Sequence, residues 1–174
     1  MTTSWTLPNT ISQYSEEGAE QAHVDWDNSD NFNQLKNSDN RFLQSNRALE
    51  HIARSPKADL KNKTYFLKIT NFTFNQLPST LSGIEVRIKA RRYGRATDDT
   101  IQLVKNDTVI GDNKASLSIH PEKVYGGVSD LWGTNLTISD ITDSTFGILI
   151  RFKSHPDWPH KDPILVDSVE MRIH

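Results

Sequence analysis

The sequence predicts an all-β protein, an antiparallel jelly-roll-like β-sandwich with a polar N-terminal arm. Three observations carry that expectation. From residue 64 onward apolar residues recur with a period of two, and Asp, Asn and Gly clusters separate the runs. About eight such runs can be counted, the number that a jelly roll needs. No stretch with a 3.6 period lies between them, so the helical crossovers of a parallel sheet are missing.

Residues 1–62 are polar and rich in Asn, Asp, Ser and Gln. Residues 1–23 read as an arm that orders on a partner, and 24–174 as the sandwich domain. Anchors occur along this stretch: Trp5, Leu7, Ile11, Tyr14, Val24, Trp26, Phe32, Leu35, Phe42 and Leu43. A loop or short-helix insertion is expected around 44–62. Ser45 suits a helix cap, Leu49, Ile52 and Ala53 would share a face, and Pro56 would end the helix.

The strands follow. Tyr65, Leu67 and Ile69 alternate with Phe66, Lys68 and Thr70, and the run continues from Asn71 to Phe74 toward a turn at Pro78. Both sets hold apolar residues, so this strand is expected to be central. Ile84, Val86 and Ile88 alternate with Glu85, Arg87 and Lys89, the pattern of a half-buried strand. Ile101 and Leu103 repeat it, and Asn106-Asp107 predicts a tight hairpin into Val109 and Ile110, ended by Gly111-Asp112-Asn113. Phe146, Ile148, Ile150 and Phe152 form an inward row with Arg151 outward. The last run sets Leu165, Asp167, Val169, Met171 and Ile173 on one face, and Ser168, Glu170 and Arg172 on the other.

A chain of 174 residues is expected to form one domain with its own core. The hydrophobic share of 35% suits a thin sandwich whose sheets face water on one side. Twenty basic and 22 acidic residues leave a net charge of −2, which gives no field to attract nucleic acid. There is no cysteine, hence no disulfide, thiolate metal site or cysteine nucleophile. The first residues lack the basic and apolar regions of a signal peptide, and no apolar run reaches membrane-spanning length. The expectation is synthesis in a host cytoplasm and no membrane partner. Asn-x-Thr triplets start at Asn62, Asn71, Asn106 and Asn135 and read as turn and strand chemistry rather than glycan sites.

Three clusters invite a chemical reading. Asp25, Asp27 and Asp30 offer carboxylates to a calcium ion, but they lack the glycine and distal glutamate of an EF-hand loop, and an Asx-rich turn explains them as well. His155 and His160 flank Asp157 and Trp158 in HPDWPH. That run reads as a rigid loop in which Trp158 either anchors a partner or folds back on the sandwich. Arg91, Arg92 and Arg95 surround Tyr93, with Asp98 and Asp99 cancelling their charge, which suits a solvated loop or a subunit contact. Nucleophile-elbow, phosphate-loop and dinucleotide motifs are missing, and no two carboxylates are set across a cleft, so no enzyme and no cofactor is expected.

The runs GIEVRIKAR, DDTIQLVKNDTVIGDNKAS, YGGVSDLWGTNLTISDITDSTFGILI and VDSVEMRIH, with VDWDN at residues 24–28, resemble a β-sandwich module of phage virion proteins and some bacterial surface proteins. The likeness spans 24–174, with extra residues at 32–63, and the closing strand ends on His174 where an aromatic residue is more usual. It implies a jelly-roll-like fold without catalytic activity. Leu131 and Trp132 would pack into the sandwich, Gly126, Gly127 and Gly133 would permit sharp turns, and Asp130 would cap one. The resemblance implies a virion structural protein, foremost a capsid decoration or cement protein bound to the major capsid protein or other virion subunits. Trp5, Leu7, Ile11, Tyr14 and Trp158 would be its contact residues, and a homo-oligomer such as a trimer would suit a particle surface. A tail adaptor or tail-tip subunit, and a carbohydrate-binding module using Trp158, Tyr93 and Tyr125 on a host-surface glycan, are the alternatives.

Overall fold

The structure is a computed structural model that describes residues 1–14, 26, 32, 35, 36, 43, 44, 63–92, 96–117, 120–153 and 164–174. Nine strands and one helical turn occur among them: β1 (Pro8–Tyr14), β2 (Leu43–Gln44), β3 (Phe66–Phe72), β4 (Ile84–Arg92), β5 (Thr97–Lys105), β6 (Thr108–Ile110), β7 (Glu122–Gly126), α1 (Ile138–Ile141), β8 (Gly147–Lys153) and β9 (Ile164–Ile173). One sheet has the order β1-β3-β8-β5-β6 and the other β2-β9-β4-β7. Every pairing is antiparallel. With β1 set aside, the orders 3-8-5-6 and 2-9-4-7 are the two interleaved Greek keys of a jelly roll.

Alternation explains why these segments pair face to face. Ile84, Val86 and Ile88 of β4, Val169, Met171 and Ile173 of β9, and Tyr125 of β7 line one inner face. Leu67, Ile69 and Phe72 of β3, Ile101 and Leu103 of β5, and Ile148, Ile150 and Phe152 of β8 line the other, with Phe146 just before β8. Trp26, Phe32 and Leu35, from the polar first third, are buried in the same core. Trp26 is tied in at both ends. Its backbone N–H donates to Gln13 Oε1 at 2.8 Å, its indole N–H donates to the Tyr65 carbonyl at 3.0 Å, and its ring meets Phe152 edge-on. The hairpin at Asn106-Asp107 forms as expected, since both residues hold positive φ (49° and 59°), the conformation of a type I′ turn.

Three departures from simple alternation have local causes. In β9 the register against β4 slips at Lys89/Ala90, so that Ala90 faces Val166 while Lys89 faces Ser168. Asp167 is the extra residue of a β-bulge. It turns Ile164 and Val166, instead of Leu165, toward the core. In β5, Asp98 faces Phe152 and Thr100 faces Arg151, which leaves Asp99 as the second extra residue. In β3, Asn71 takes φ 60°, so Ile69 and Phe72 both point inward despite their spacing of three.

The expected N-terminal arm is the largest difference. Residues 1–14 are built into the sandwich. Thr3 donates its N–H to the Ile173 carbonyl at 2.9 Å, and Thr6 exchanges backbone bonds with Met171, extending the edge of β9 beyond β2. The chain then crosses to the other sheet, where Pro8–Tyr14 pairs with β3. Composition concealed this because an edge strand needs few apolar residues when its ladder supplies the partners. Residues 15–23, and the short helix expected at 45–54, lie outside the described residues. Deleting residues 1–14 removes a whole ladder. At about 1 kcal/mol per hydrogen bond the loss should exceed about 3 kcal/mol. In thermal unfolding the midpoint should drop by about 6–12 °C or more, whereas a detachable arm would leave it unchanged.

Candidate functional site

The motif with the most distinctive sequence forms a clasp at one end of the sandwich. After β7, Gly127 and Asp130 bridge, with the Asp130 N–H donating to the Gly127 carbonyl at 3.1 Å. Trp132 has φ 58° and is fully buried. Its indole N–H donates to the Ile84 carbonyl at 2.9 Å, while the Ile84 N–H donates to the Asp130 carbonyl at 3.0 Å. The Trp132 N–H donates to Asp130 Oδ1 at 2.7 Å, and its carbonyl accepts from Asp112 N–H at 2.7 Å. Burial pushes the Asp130 carboxyl up, but the Lys114 ammonium at 3.0 Å and the Trp132 N–H outweigh it and hold the pKa below the ordinary aspartate value. Gly126 sits at φ 80°, where an added Cβ would lie 2.1 Å from the Ile84 carbonyl and 2.6 Å from Trp132 Nε1. Trp132 lies in the core and Asp130 caps its own turn, as expected, whereas Leu131, expected to pack into the sandwich, is half-buried and outside the core cluster.

The outer face of the four-stranded sheet is a charge lattice. Arg87 pairs with Glu170 at 2.7 Å, and Arg172 with Glu85 at 2.5 Å. His174 Nε2 lies 2.9 Å from the same Glu85 oxygen, and its Nδ1 lies 3.1 Å from Thr2 Oγ1. Trp5 lies between the two guanidinium groups, each 4.4 Å from its ring. Burial raises the Glu85 pKa, and the Arg172 and His174 bonds bring it down below its ordinary value.

On the outer face of the five-stranded sheet Phe66, Leu149 and Val104 form a small apolar cluster. Tyr14 stacks on Phe66 at 5.2 Å, and the Arg151 guanidinium covers that ring at 4.0 Å. The bulged Asp99 gathers Arg151 at 2.6 Å, Lys63 at 3.4 Å and Lys153 at 3.5 Å. Burial alone would raise its pKa, and these three cations pull it below the ordinary aspartate value. A groove of about 370 Å³ runs beside Ser12, Gln13, Tyr14 and the Lys68–Asp107 pair.

The residues singled out in the sequence therefore fare differently. Trp5, Leu7 and Ile11 are half-buried. Trp5 is held in the arginine stack and Ile11 packs on the core, while Tyr14 keeps 40% of its surface exposed. These residues are not collected into one patch: Trp5 is on one sheet and Tyr14 on the other. Tyr125, a candidate sugar platform, is buried and donates its hydroxyl to Asp98 at 2.8 Å, so it offers no ring face to a ligand. The inward turn of β7 at that position is the reason. Trp158 and Tyr93, the histidines of HPDWPH, and Asp25, Asp27 and Asp30 lie outside the described residues. Arg91 is exposed near the end of β4.

Sequence reasoning did not foresee the buried Asp98–Tyr125–Lys123 group or the cation cluster at Asp99. Two adjacent acids inside TDDTIQL, where one must face inward, are the signal that would have found both. The capping box of α1, in which Thr137 and Asp140 satisfy each other, was legible as a Thr followed three residues later by Asp. Among the described residues no three His, Asp or Glu side chains are grouped to hold a metal ion, and no helix is long and apolar enough to cross a membrane. No family model, curated protein or solved structure matches the chain.

Gly126→Ala should destabilise by about 2–4 kcal/mol, from left-handed strain plus the clash with the Ile84 carbonyl; denaturant unfolding measures it. Asp99→Asn should cost about 2 kcal/mol near neutral pH, because the charge-assisted bond to Arg151 and the attraction of Lys63 and Lys153 are lost. The folded-state pKa of Asp99 is depressed, so its contribution is full above the unfolded value and lost as pH falls through the folded one. Wild type and Asp99→Asn should therefore differ in unfolding free energy at pH 7 and converge as pH falls below the ordinary aspartate value of 3.8.

Proposed function

We propose that the protein is a non-enzymatic phage virion structural protein, a decoration or cement protein that binds the major capsid protein on the capsid surface. The observation that supports this most is the fate of the residues that carry the resemblance. YGG, DLWG and the start of GIEVRIKAR meet in one clasp, with Trp132 bonded to Ile84 and fitted against Gly126. The likeness is thus one of construction. Among the described residues Asp143 is held below its ordinary pKa by its bonds from Thr145, and Glu85, Asp99, Asp130 and Asp140 are each held by lysine or arginine partners within the fold. These are structural ion pairs, and an acid–base catalyst needs a group left open to substrate.

A jelly roll of this kind offers its partner loops and edges while its sheets hold each other. The carbohydrate reading loses one of its three aromatic residues, since Tyr125 is buried. The tail reading shares all of these features and differs in the particle component touched. Mass spectrometry of purified particles separated into capsids and tails tests the assignment. Peptides of this chain should appear with the capsids. Their appearance with tails would replace the capsid role by that of an adaptor, and their absence from particles would end the virion reading.

A further inference from the structure

β7 is the outer strand of its sheet, and its far side pairs with no other strand among the described residues. The Ala90 N–H donates to the Pro121 carbonyl at 2.8 Å, one step beyond the Lys89–Glu122 pair. Bonded and non-bonded pairs alternate along an antiparallel ladder. Ile88–Lys123 and Val86–Tyr125 are therefore the bonded pairs, and Glu122 and Val124 turn their N–H and C=O groups away from β4. Val124 is 43% exposed at the centre of this edge, with Leu117 (63%) before the strand and Val128 (59%) after it. Natural edges are usually blunted at the centre by a charge, a proline or a bulge. Here the outward residue at the centre is an exposed valine, the one inward charge, Lys123, is neutralised by Asp98 of its own chain, and Pro121 and the left-handed Gly126 mark only the ends.

We infer that β7 pairs with β7 of a second copy, antiparallel, about a two-fold axis at Val124. Self-complementarity selects a second copy over a foreign strand. In this register Val124 meets Val124, and Glu122 meets Gly126 of the other copy. Lys123 and Tyr125 lie opposite each other on the inner side, where Asp98 already holds both within their own chain. Moving the axis to Glu122 would oppose two carboxylates directly, which is destabilising. Moving it to Gly126 would centre the ladder on a residue at φ 80°, where the strand ends. An axis at Lys123 would set two lysines opposite each other, so of these registers the one at Val124 uses the outward groups of both strands without opposing like charges. It also carries the Leu117 end of one copy toward the Val128 end of the other. The two four-stranded sheets join into one continuous sheet, an isologous contact that closes as a dimer. This inference stands apart from the virion assignment.

Sedimentation velocity of the full chain tests it. The wild type should sediment at twice the monomer mass of 19.8 kDa. Val124→Lys should sediment as a monomer with unchanged circular dichroism and melting. Val124→Pro should do the same, since it deletes an N–H that β4 does not use. Val124→Thr, which keeps shape and strand propensity, should remain dimeric. As a check that needs no variant, the Val124 amide should exchange slowly at high concentration and fast on dilution. A wild type that stays monomeric up to on the order of 100 μM overturns the inference. So does an oligomer that Val124→Lys leaves intact, or a Val124 amide whose exchange ignores concentration.

Discussion

The ladder between β4 and β9 is the constraint on which the rest of the molecule depends. It runs from Ile84–Ile173 to Arg92–Ile164, and it joins the closing strand of the chain to the middle of its sheet. β9 has β4 on one side, and β2 and the Thr3–Thr6 segment on the other. The sheet cannot be completed until the last residues are in place. Its far end is fixed by His174, whose N–H donates to the Gly83 carbonyl and whose carbonyl accepts from Ser82. Such non-local pairing makes folding slow, because loop closure must precede the contacts that reward it. The clasp at Trp132 bears on the same ladder, since Ile84, its first residue, donates to Asp130 and accepts from the indole.

Charge and aromatic rings cover the outer faces in a consistent way. On the four-stranded sheet, neighbouring strands carry Glu85, Arg87, Glu170 and Arg172 in alternate signs, so each guanidinium finds a carboxylate across the ladder. The planar side of each guanidinium is left for Trp5. A lysine would keep the charge but lose the stacking plane. On the five-stranded sheet, Arg151 spans Phe66 and Asp99 in the same dual manner. Because the segment carrying Trp5 continues into β1, the N-terminal residues bind both sheets and resist their sliding apart.

Much of this was legible in the sequence where alternation is unbroken. Ile84, Val86 and Ile88, and the row from Phe146 to Phe152, are buried as their spacing requires. Asn106-Asp107 forms the expected turn because Asn and Asp tolerate positive φ better than other side chains. The bulges were not legible. A period-two reading of β9 places Leu165 with Val169, and one inserted residue, Asp167, reverses that assignment for everything before it. Nothing in local composition marks Asp167 as the extra residue, because its cause lies in the partner strand. The same holds for residues 1–14, whose ladder partners are 52 to 170 positions away, as Tyr14–Phe66 and Thr3–Ile173 show. The burial of Trp132 was legible, since several glycines around one tryptophan describe a backbone packed against a ring.

The four sheet edges are not equivalent, and the difference follows from the same chemistry. β2 pairs over two residues and β6 spans three, too little ladder for a stable contact. β1 is longer, but it begins at Pro8, and the exposed Asn9 at its start reaches across to β3 to bond the Asn71 carbonyl and Thr73. β7 has five residues, and its inward side chains, Lys123 and Tyr125, are fixed by Asp98. Holding the inner side of an edge strand rigid leaves its outward backbone groups preorganised, which lowers the entropy lost when another strand pairs with it. The buried Asp98, which looks like a cost to the core, thus also stiffens the outer edge of the four-stranded sheet.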